Sequence, residues 1–238
     1  AALARDMVPT PPTWGSDTPV CTWKGLLCLN GRVERVSLPS GKPPFTGTVD
    51  LSQLPSELGY LDLSGNQFSG SADLSQLPSQ LSIVYLYSNQ FSGPVDLTNL
   101  PSQMSFLDLD HNRFSGSVDL TRLPTKLAYL YLNNNNFSGS VDLTQLPTQL
   151  PILSLASNKF SGSVNLTQLP SSFEILELNT NQFNGTVDLT HLPKSLQTVG
   201  LYGNRFCGST TTDIACSVFN LGGGCECQEK VVTCPACA

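Results

Sequence analysis

A segment of 23 residues recurs at a fixed interval along most of this chain. An asparagine marks the same place in every copy, and successive copies place it 23 residues apart. The copies are centred on Asn66, Asn89, Asn112, Asn135, Asn158, Asn181 and Asn204. A fixed period of roughly 20 to 50 residues predicts a solenoid, in which each copy forms one coil and packs only on its neighbours.

Apolar residues occupy the same places in every copy and predict the core of the solenoid. Two of these places lie two residues apart, so their side chains point to one side of a short strand. These columns are Leu61, Val84, Leu107, Leu130, Leu153, Leu176 and Val199, then Leu63, Leu86, Leu109, Leu132, Leu155, Leu178 and Leu201. A phenylalanine two residues after each asparagine predicts a third internal column of Phe68, Phe91, Phe114, Phe137, Phe160, Phe183 and Phe206, which Phe45 extends by one coil at the N-terminal end.

The pattern L-x-x-L-x-L-x-x-N-x-F is the leucine-rich repeat signature. We therefore predict a right-handed leucine-rich-repeat solenoid with a parallel β-sheet on its concave face. The asparagine amides are expected to satisfy backbone groups in the turns. On the convex face, the alternation in V-D-L, as at residues 95–97, predicts a second short strand. Because Leu-Pro pairs such as Leu77-Pro78 turn the chain, we expect short strands and 3₁₀ turns there, with little α-helix.

The aspartate of V-D-L also forms a column, which faces outward. Its members are Asp50, Asp73, Asp96, Asp119, Asp142 and Asp188, with Asn165 interrupting the run. Stacked like charges are destabilising, so the Ser or Thr two residues further on is predicted to donate its hydroxyl to each carboxylate. A calcium ladder is the alternative, but one carboxylate per coil falls short of the usual oxygen count of calcium.

All cysteines lie near the two ends of the chain: Cys21 and Cys28, then Cys207, Cys216, Cys225, Cys227, Cys234 and Cys237. An even number confined to the ends of a solenoid predicts disulfide-capped ends and an oxidising, extracellular compartment. The alternative is a zinc site in C-E-C-x6-C-P-A-C, whose last pair has ligand spacing. Three N-glycosylation sequons also favour an extracellular location, at Asn136, Asn165 and Asn184.

The repeats and their caps account for nearly the whole chain, so one elongated domain is predicted. Residues 1–35 form an N-terminal cysteine cap, and residues 207–238 form a C-terminal cysteine-rich cap. Between them, residues 36–206 hold one imperfect coil and seven regular coils of 23 residues. No cofactor or metal site is predicted, and the protein is expected to be a monomer.

One cap feature and the convex pattern resemble known families. Cys21 to Cys28 reads C-T-W-K-G-L-L-C, similar to the cap C-x-W-x-G-V-x-C of plant-type leucine-rich-repeat ectodomains, with Leu26 where valine is usual. The form D-L-T-x-L-P departs from the plant pattern G-x-I-P. In that respect the chain resembles the leucine-rich-repeat surface proteins of kinetoplastid protozoa, the promastigote surface antigen group.

This resemblance carries three implications. It implies a cysteine pair after the final coil, here Cys207 with Cys216, which leaves three connectivities for the four cysteines that follow. It implies a surface antigen with a role between host and pathogen. It also implies membrane attachment only through a lipid anchor beyond a stalk, and these 238 residues show no anchor signal.

The charge of the chain excludes some classes of partner. The formal net charge is −6 and there is no basic stripe, so neither nucleic acid nor an anionic membrane surface is an expected partner. No apolar run approaches the roughly 20 residues of a membrane-spanning helix. Catalysis is also not expected, because His111 and His191 fall at different points of distant coils and no catalytic motif is present.

The outward positions of the concave strands carry the functional prediction. Every tyrosine of the chain falls in one of three outward columns. Such side chains offer large, rigid contact areas with a polar tip, which binding surfaces favour. We predict a ligand-binding face made of Tyr60, Asp62, Tyr85, Tyr87, Phe106, Asp108, Asp110, His111, Tyr129, Tyr131 and Asn133. The alternative is that these rows only support one another across the strands.

Three functions are compatible with this sequence. The first is extracellular or cell-surface recognition or adhesion, with a protein or glycan bound by the aromatic and acidic concave face. The second is secreted inhibition of a foreign enzyme, which predicts tight one-to-one binding. The third is a structural surface-coat glycoprotein, in which glycans and stiffness matter and the tyrosines do not.

Overall fold

The computed structural model describes residues 7–9, 17–38, 40–212, 219–220, 226–228 and 231–234. Its largest element, the first sheet, takes one short strand from each coil. In spatial order its strands are β1 Leu26–Leu29, β2 Arg32–Ser37, β4 Tyr60–Asp62, β6 Ile83–Tyr85, β8 Phe106–Asp108, β10 Tyr129–Tyr131, β12 Ile152–Ser154, β14 Ile175–Glu177, β16 Thr198–Gly200 and β19 Phe219–Asn220. From β2 onward the pairing is parallel, and each residue faces the one 23 positions later in the regular coils.

A second sheet runs along another side of the coils. Its strands are β3 Thr46–Thr48, β5 Gln67–Gly70, β7 Gln90–Gly93, β9 Arg113–Gly116, β11 Asn136–Gly139, β13 Lys159–Gly162, β15 Gln182–Gly185 and β17 Arg205–Phe206. Short 3₁₀ helices occur at Val20–Thr22 and Leu51–Gln53, and the described residues contain no α-helix. The predicted leucine-rich-repeat solenoid with little helix is therefore confirmed.

The predicted position of the second strand is wrong. It does not lie on V-D-L, where residues 95–97 pair with no strand, but on the preceding x-F-S-G, as in β7. Val95 and Leu97 do turn inward as the alternation requires, at 5% and 1% exposure. The carboxylate between them accepts the backbone N–H of Thr98, so the chain turns directly after Leu97 and the segment forms no strand.

The core is one continuous column of leucines and phenylalanines. The inward residues of the first sheet, such as Leu107 and Leu130, have no exposed surface. The phenylalanine rings from Phe45 to Phe206 stack coil on coil, with centroids 6.0–6.4 Å apart. Because each coil buries these side chains against the next, the predicted internal spine is confirmed.

The asparagine column ties successive coils together by hydrogen bonds. Asn112 is typical: its Nδ2 donates to the carbonyls of Leu86 (2.9 Å) and Leu109 (3.2 Å), while its Oδ1 accepts the Phe91 N–H (3.0 Å). The other asparagines repeat this arrangement. The predicted structural role of the column is confirmed, since each amide satisfies buried backbone groups in two coils.

Cys21 and Cys28 form the N-terminal disulfide, with their Cα atoms 5.6 Å apart. Strands β1 and β2 make an antiparallel hairpin there, and β2 begins the parallel part of the first sheet. Trp23 packs against the end of the core, and its Nε1 donates to the Thr18 carbonyl at 3.1 Å. The predicted disulfide cap is confirmed at this end.

At the other end, Phe219 is buried and continues the first sheet through β19. A small antiparallel sheet joins β18 Ser209–Thr211, β20 Glu226–Gln228 and β21 Val231–Thr233. Cys207 and Cys234 are each disulfide-bonded, so Cys234 is not a thiolate ligand and the disulfide interpretation is favoured over zinc. Cys216, and with it the predicted Cys207–Cys216 pair, lies outside the described residues, as do Cys225 and Cys237.

Candidate functional site

The solvent-facing side of the first sheet presents three side-chain columns in strict register. The strand pairing sets Arg35, Tyr60, Ile83, Phe106, Tyr129, Ile152, Ile175 and Thr198 in the first column. The second column is Ser37, Asp62, Tyr85, Asp108, Tyr131, Ser154, Glu177 and Gly200. The third begins two residues after the second and contains Ser64, Tyr87, Asp110, Asn133, Ala156, Asn179 and Tyr202. Neighbouring members of a column are about 4.8 Å apart along the solenoid.

Six aromatic rings of these columns form one contacting group, the aromatic cluster: Tyr60, Tyr85, Tyr87, Phe106, Tyr129 and Tyr131. The closest pair is Tyr85 and Phe106, with centroids 4.7 Å apart, and Phe106 also lies 5.7 Å from Tyr131. Tyr87 and Tyr129 remain exposed, at 36% and 38%. The cluster is therefore a packed apolar surface that still faces solvent.

A cation already lies on the N-terminal edge of the aromatic cluster. The guanidinium carbon of Arg35 is 3.7 Å from the centre of the Tyr60 ring, within the usual range of a cation–π contact. Arg35 precedes Tyr60 in the first column and is exposed. We did not predict this residue, although its register one coil before Tyr60 could have identified it.

Asp108 lies in the middle of the second column, between Tyr85 and Tyr131. Its Oδ1 accepts the Asp110 backbone N–H at 2.9 Å. Burial of the carboxylate among these rings raises its pKa to about 6, and the neighbouring Asp110 charge adds to the effect. Burial likewise raises the pKa of the Tyr85 and Tyr131 hydroxyls. Asp108 is thus a half-buried carboxylate whose pKa lies well above that of an exposed aspartate.

Asp110, in the third column, is in contrast well supplied with donors. It accepts Nδ2 of Asn133 at 2.6 Å and Nδ2 of Asn134 at 3.0 Å, and it lies 2.7 Å from Nδ1 of His111. His111 has a φ of 50°, the left-handed conformation that glycine adopts at Gly65 and Gly203 in the equivalent place. Asn133 Oδ1 is buried and has no hydrogen-bond partner within the described residues.

The residues predicted from sequence therefore do come together on one face. The aromatic cluster and Asp62 lie on the face of the first sheet with Asp108, and His111 lies in the adjoining turn beside Asp110. Asn134 was not predicted, although its Nδ2 donates to the Asp110 carboxylate and it lies 23 residues after His111, at the same place of the next coil. Whether this face binds a ligand remains a prediction.

The aspartate column and the sequons lie away from the first sheet. Each aspartate accepts the backbone N–H and the hydroxyl of the Ser or Thr two residues on, with hydroxyl distances of 2.6–2.7 Å. These hydroxyls lower the pKa of Asp73, Asp96, Asp119, Asp142 and Asp188. The predicted hydroxyl donors are confirmed. In the part of the chain that the structure describes, no group of potential ligands is placed to hold a metal ion.

The sequon asparagines lie on the second sheet and in the aspartate column. Asn136 and Asn184 lie on strands β11 and β15 of the second sheet, and Asn165 replaces an aspartate of the convex column. Asn165 and Asn184 are exposed, and Asn136 is partly exposed. Glycans attached there would leave the face of the first sheet uncovered. Among the described residues, no helix has the length and apolar character needed to cross a bilayer.

Solved structures resemble this chain, whereas a scan of family models and a search of curated proteins find no match. The plant peptide hormone receptor RGFR1 in complex with RGF2 aligns with a TM-score of 0.51 and 25% identity, over 68% of this chain and 27% of that one. The chain thus spans about a quarter of that receptor's length.

Two further structures align over most of both chains. Pollen Receptor Kinase 3 aligns with a TM-score of 0.51 and 22% identity, over 85% of this chain and 88% of that one. A plant ice-binding protein aligns with a TM-score of 0.54 and 19% identity, over 96% and 92%. These likenesses agree with the leucine-rich-repeat solenoid. Since a receptor and an ice-binding protein share the fold, function has to be argued from the surface of this chain.

Proposed function

We propose that this protein is an extracellular or cell-surface recognition protein that binds a protein or glycan through the first sheet. The single observation that carries the proposal is the aromatic cluster, a row of contacting rings that faces solvent across four coils. The sheet of a leucine-rich-repeat solenoid lines its concave side, which offers an extended binding surface. A few residues supply most of the binding energy in known interfaces, and tyrosine is one of the residue types enriched among them.

Three further observations support this proposal. A 25% identical structure is that of a peptide hormone receptor in complex with its peptide, so the fold supports recognition. The Cys21–Cys28 disulfide supports an oxidising, extracellular compartment. The net charge of −6 and the carboxylates of the second column favour a ligand with basic groups over nucleic acid. The protein acts as a binding protein rather than an enzyme, and as a monomer.

Two other functions keep the same fold. A secreted inhibitor of a foreign enzyme would bind that enzyme tightly and one-to-one. A structural coat glycoprotein, as the resemblance to kinetoplastid surface antigens also allows, would depend on its glycans and stiffness. Only the coat hypothesis predicts that the aromatic cluster is unnecessary for function, which separates it from the other two, and the class of ligand bound separates recognition from inhibition.

The test is a binding screen against panels of extracellular proteins, secreted peptides, hydrolytic enzymes and glycans. The unaltered protein is compared with a variant in which Tyr85, Tyr87, Tyr129 and Tyr131 are all changed to Ala, with its fold checked by circular dichroism. Recognition by this face predicts at least a tenfold loss of affinity, about 1.4 kcal/mol. Equal binding by both proteins, or no binding by either, would contradict the proposal. An enzyme as the sole ligand would support the inhibitor function.

A further inference from the structure

One carboxylate on the first sheet lacks the donor that its equivalents have. Asp62, two coils before Asp108 in the second column, accepts the Ser64 hydroxyl at 2.6 Å. Glu177, three coils after Asp108, accepts the Ser154 hydroxyl at 2.6 Å. Asp108 accepts only a backbone N–H among the described residues, because Asp110 occupies the place where a hydroxyl residue would stand.

The partly buried surroundings of Asp108 make the lack of a side-chain donor unfavourable for its ionised form. Tyr85 and Tyr131 flank it along the column, and Phe106 precedes it by two residues on the same side of strand β8. The Phe106 ring contacts both tyrosine rings, at 4.7 Å and 5.7 Å between centroids. A charged group partly removed from water needs compensating partners, and within the described residues neither tyrosine hydroxyl donates to Asp108. In the adjacent column one coil further on, the buried Asn133 Oδ1 is a second acceptor that lacks a donor.

An arginine of the protein already contacts the aromatic cluster. The Arg35 guanidinium stacks on Tyr60 at the edge of the same aromatic cluster, where Asp62 is the nearest acid of the second column. A planar cation gains from aromatic faces and carboxylates together, and a guanidinium is suited to both. The Tyr85–Asp108–Tyr131 segment repeats this combination of rings and acid, and within the described residues His111 is the one side chain whose charge opposes that of Asp108.

We propose that Asp108, framed by Tyr85, Phe106 and Tyr131, is the subsite that receives an arginine side chain of a protein ligand. This inference rests on the proposed function and names the chemistry of its ligand. The carboxylate would gain the donors that it lacks, and the rings would stack against the guanidinium plane. A neutral glycan could contact the tyrosines, but it would not depend on the charge of Asp108.

Ionisation of Asp108 couples this subsite to pH. The charged and titratable groups around it are Asp110 and His111 in its own coil, Tyr85 and Tyr131 on the adjoining strands, and Asp62 and Glu177 further along the column. Of the carboxylates, Asp110 lies next to His111, and Asp62 and Glu177 have hydroxyl donors. A bound cation stabilises ionised Asp108, so binding should weaken as the pH falls through about 6.

The experiment is a nuclear magnetic resonance titration of the whole protein with N-acetyl-arginine methylamide. N-acetyl-citrulline methylamide, which has a similar shape without the charge, is the control ligand. We expect saturable shifts of the Asp108 carboxyl and of the Tyr85, Phe106 and Tyr131 rings with arginine only, below roughly 100 mM. Affinity should fall about tenfold from pH 7.5 to pH 5.0, the drop in ionised fraction for a pKa of about 6.

Two variants make the outcome decisive. Asp108→Asn should abolish the arginine-specific shifts, whereas Asp119→Asn, which removes the same charge from the convex aspartate column, should change them less than twofold. Equal shifts with arginine and citrulline, unchanged binding by Asp108→Asn, or no saturation would overturn the proposal. If a ligand from the screen loses affinity with the four-tyrosine variant but not with Asp108→Asn, the proposed function stands and the arginine subsite fails.

Discussion

The Asp108 carboxylate accepts the Asp110 backbone N–H at 2.9 Å, and Asp110 stands where Ser64 supplies a hydroxyl to Asp62. Asp62 and Asp108 occupy the same column, on strands two coils apart. Because Asp110 replaces the serine of the earlier coil, Asp108 lacks a hydroxyl donor among the described residues and has a like charge beside it. This difference gives the middle of the first sheet electrostatic properties that its ends do not have.

Asp108→Asn should stabilise the folded protein at pH 7.5 and should do so less at pH 4.0. The folded-state pKa of about 6 lies above the ordinary value of 3.8, so the fold favours the protonated carboxyl. Between pH 3.8 and about 6 the folded state binds more protons than the unfolded state. The contribution of Asp108 to the free energy of unfolding therefore declines as the pH rises through this range. Asparagine removes that decline because it does not ionise.

Guanidinium denaturation midpoints of both proteins at the two pH values test this prediction. Asp62→Asn serves as the control and should show no comparable gain at pH 7.5, since it loses a carboxylate that already has a hydroxyl donor. A difference between Asp108→Asn and the unaltered protein that is the same at both pH values would contradict the assigned pKa direction.

Asp110→Ser should lower the pKa of Asp108. The substitution restores the spacing found at Asp73 and Ser75, where the Ser75 hydroxyl holds the pKa of the Asp73 carboxyl below its usual value. It also removes the like charge next to Asp108. Carboxyl carbon chemical shifts followed against pH would report the change, and an unchanged or higher midpoint would show that burial alone sets the pKa.

Asn112→Ala should destabilise the solenoid by about 2–4 kcal/mol. The side chain donates to the Leu86 carbonyl and accepts the Phe91 N–H, and both groups are buried. Each buried group left without a partner costs about 1–3 kcal/mol. Asn99→Ala is the matched control, because Asn99 is exposed and should change stability by less than about 0.5 kcal/mol. Similar denaturation midpoints for both variants would contradict the structural role of the asparagine column.

Glycans at the three sequons should have little effect on ligand binding. Asn136 and Asn184 lie on the second sheet and Asn165 lies on the aspartate column, so attached glycans point away from the aromatic cluster. Mass spectrometry after enzymatic deglycosylation would count occupied sites in protein from a secreting eukaryotic host. Affinity for a ligand from the screen should then change less than twofold. A large loss of affinity on deglycosylation would contradict this prediction and favour the coat hypothesis, in which the glycans matter.

The sequence predicted the core well because the repeat makes burial periodic. A phenylalanine recurs at the position of Phe114 in every regular coil, and a large apolar side chain repeated in this way is expected in the interior. The second strand was misplaced because alternation in V-D-L also arises when a chain turns. In Val95-Asp96-Leu97 the turn is made by the Thr98 N–H and hydroxyl on Asp96, which the apolar pattern alone does not reveal.

The candidate site was only partly predictable. Its tyrosines followed from the outward columns, but the contact of Arg35 with Tyr60 was missed because Arg35 belongs to the irregular first coil. The state of Asp108 was also missed, although D-x-D in place of D-x-S is visible in the sequence. The missing donor raises the pKa of Asp108 only because nearby rings exclude water, and two of those rings, Tyr85 and Tyr131, come from the neighbouring coils.

The most direct test of the central claim is the affinity of one identified ligand for two single-tyrosine variants. Tyr87 and Tyr202 both lie in the third column, and both are 36% exposed, but only Tyr87 belongs to the aromatic cluster. Titration calorimetry should show about a tenfold loss of affinity for Tyr87→Ala and less than a twofold loss for Tyr202→Ala. Equal affinities for the two variants and the unaltered protein would contradict recognition through the aromatic cluster of the first sheet.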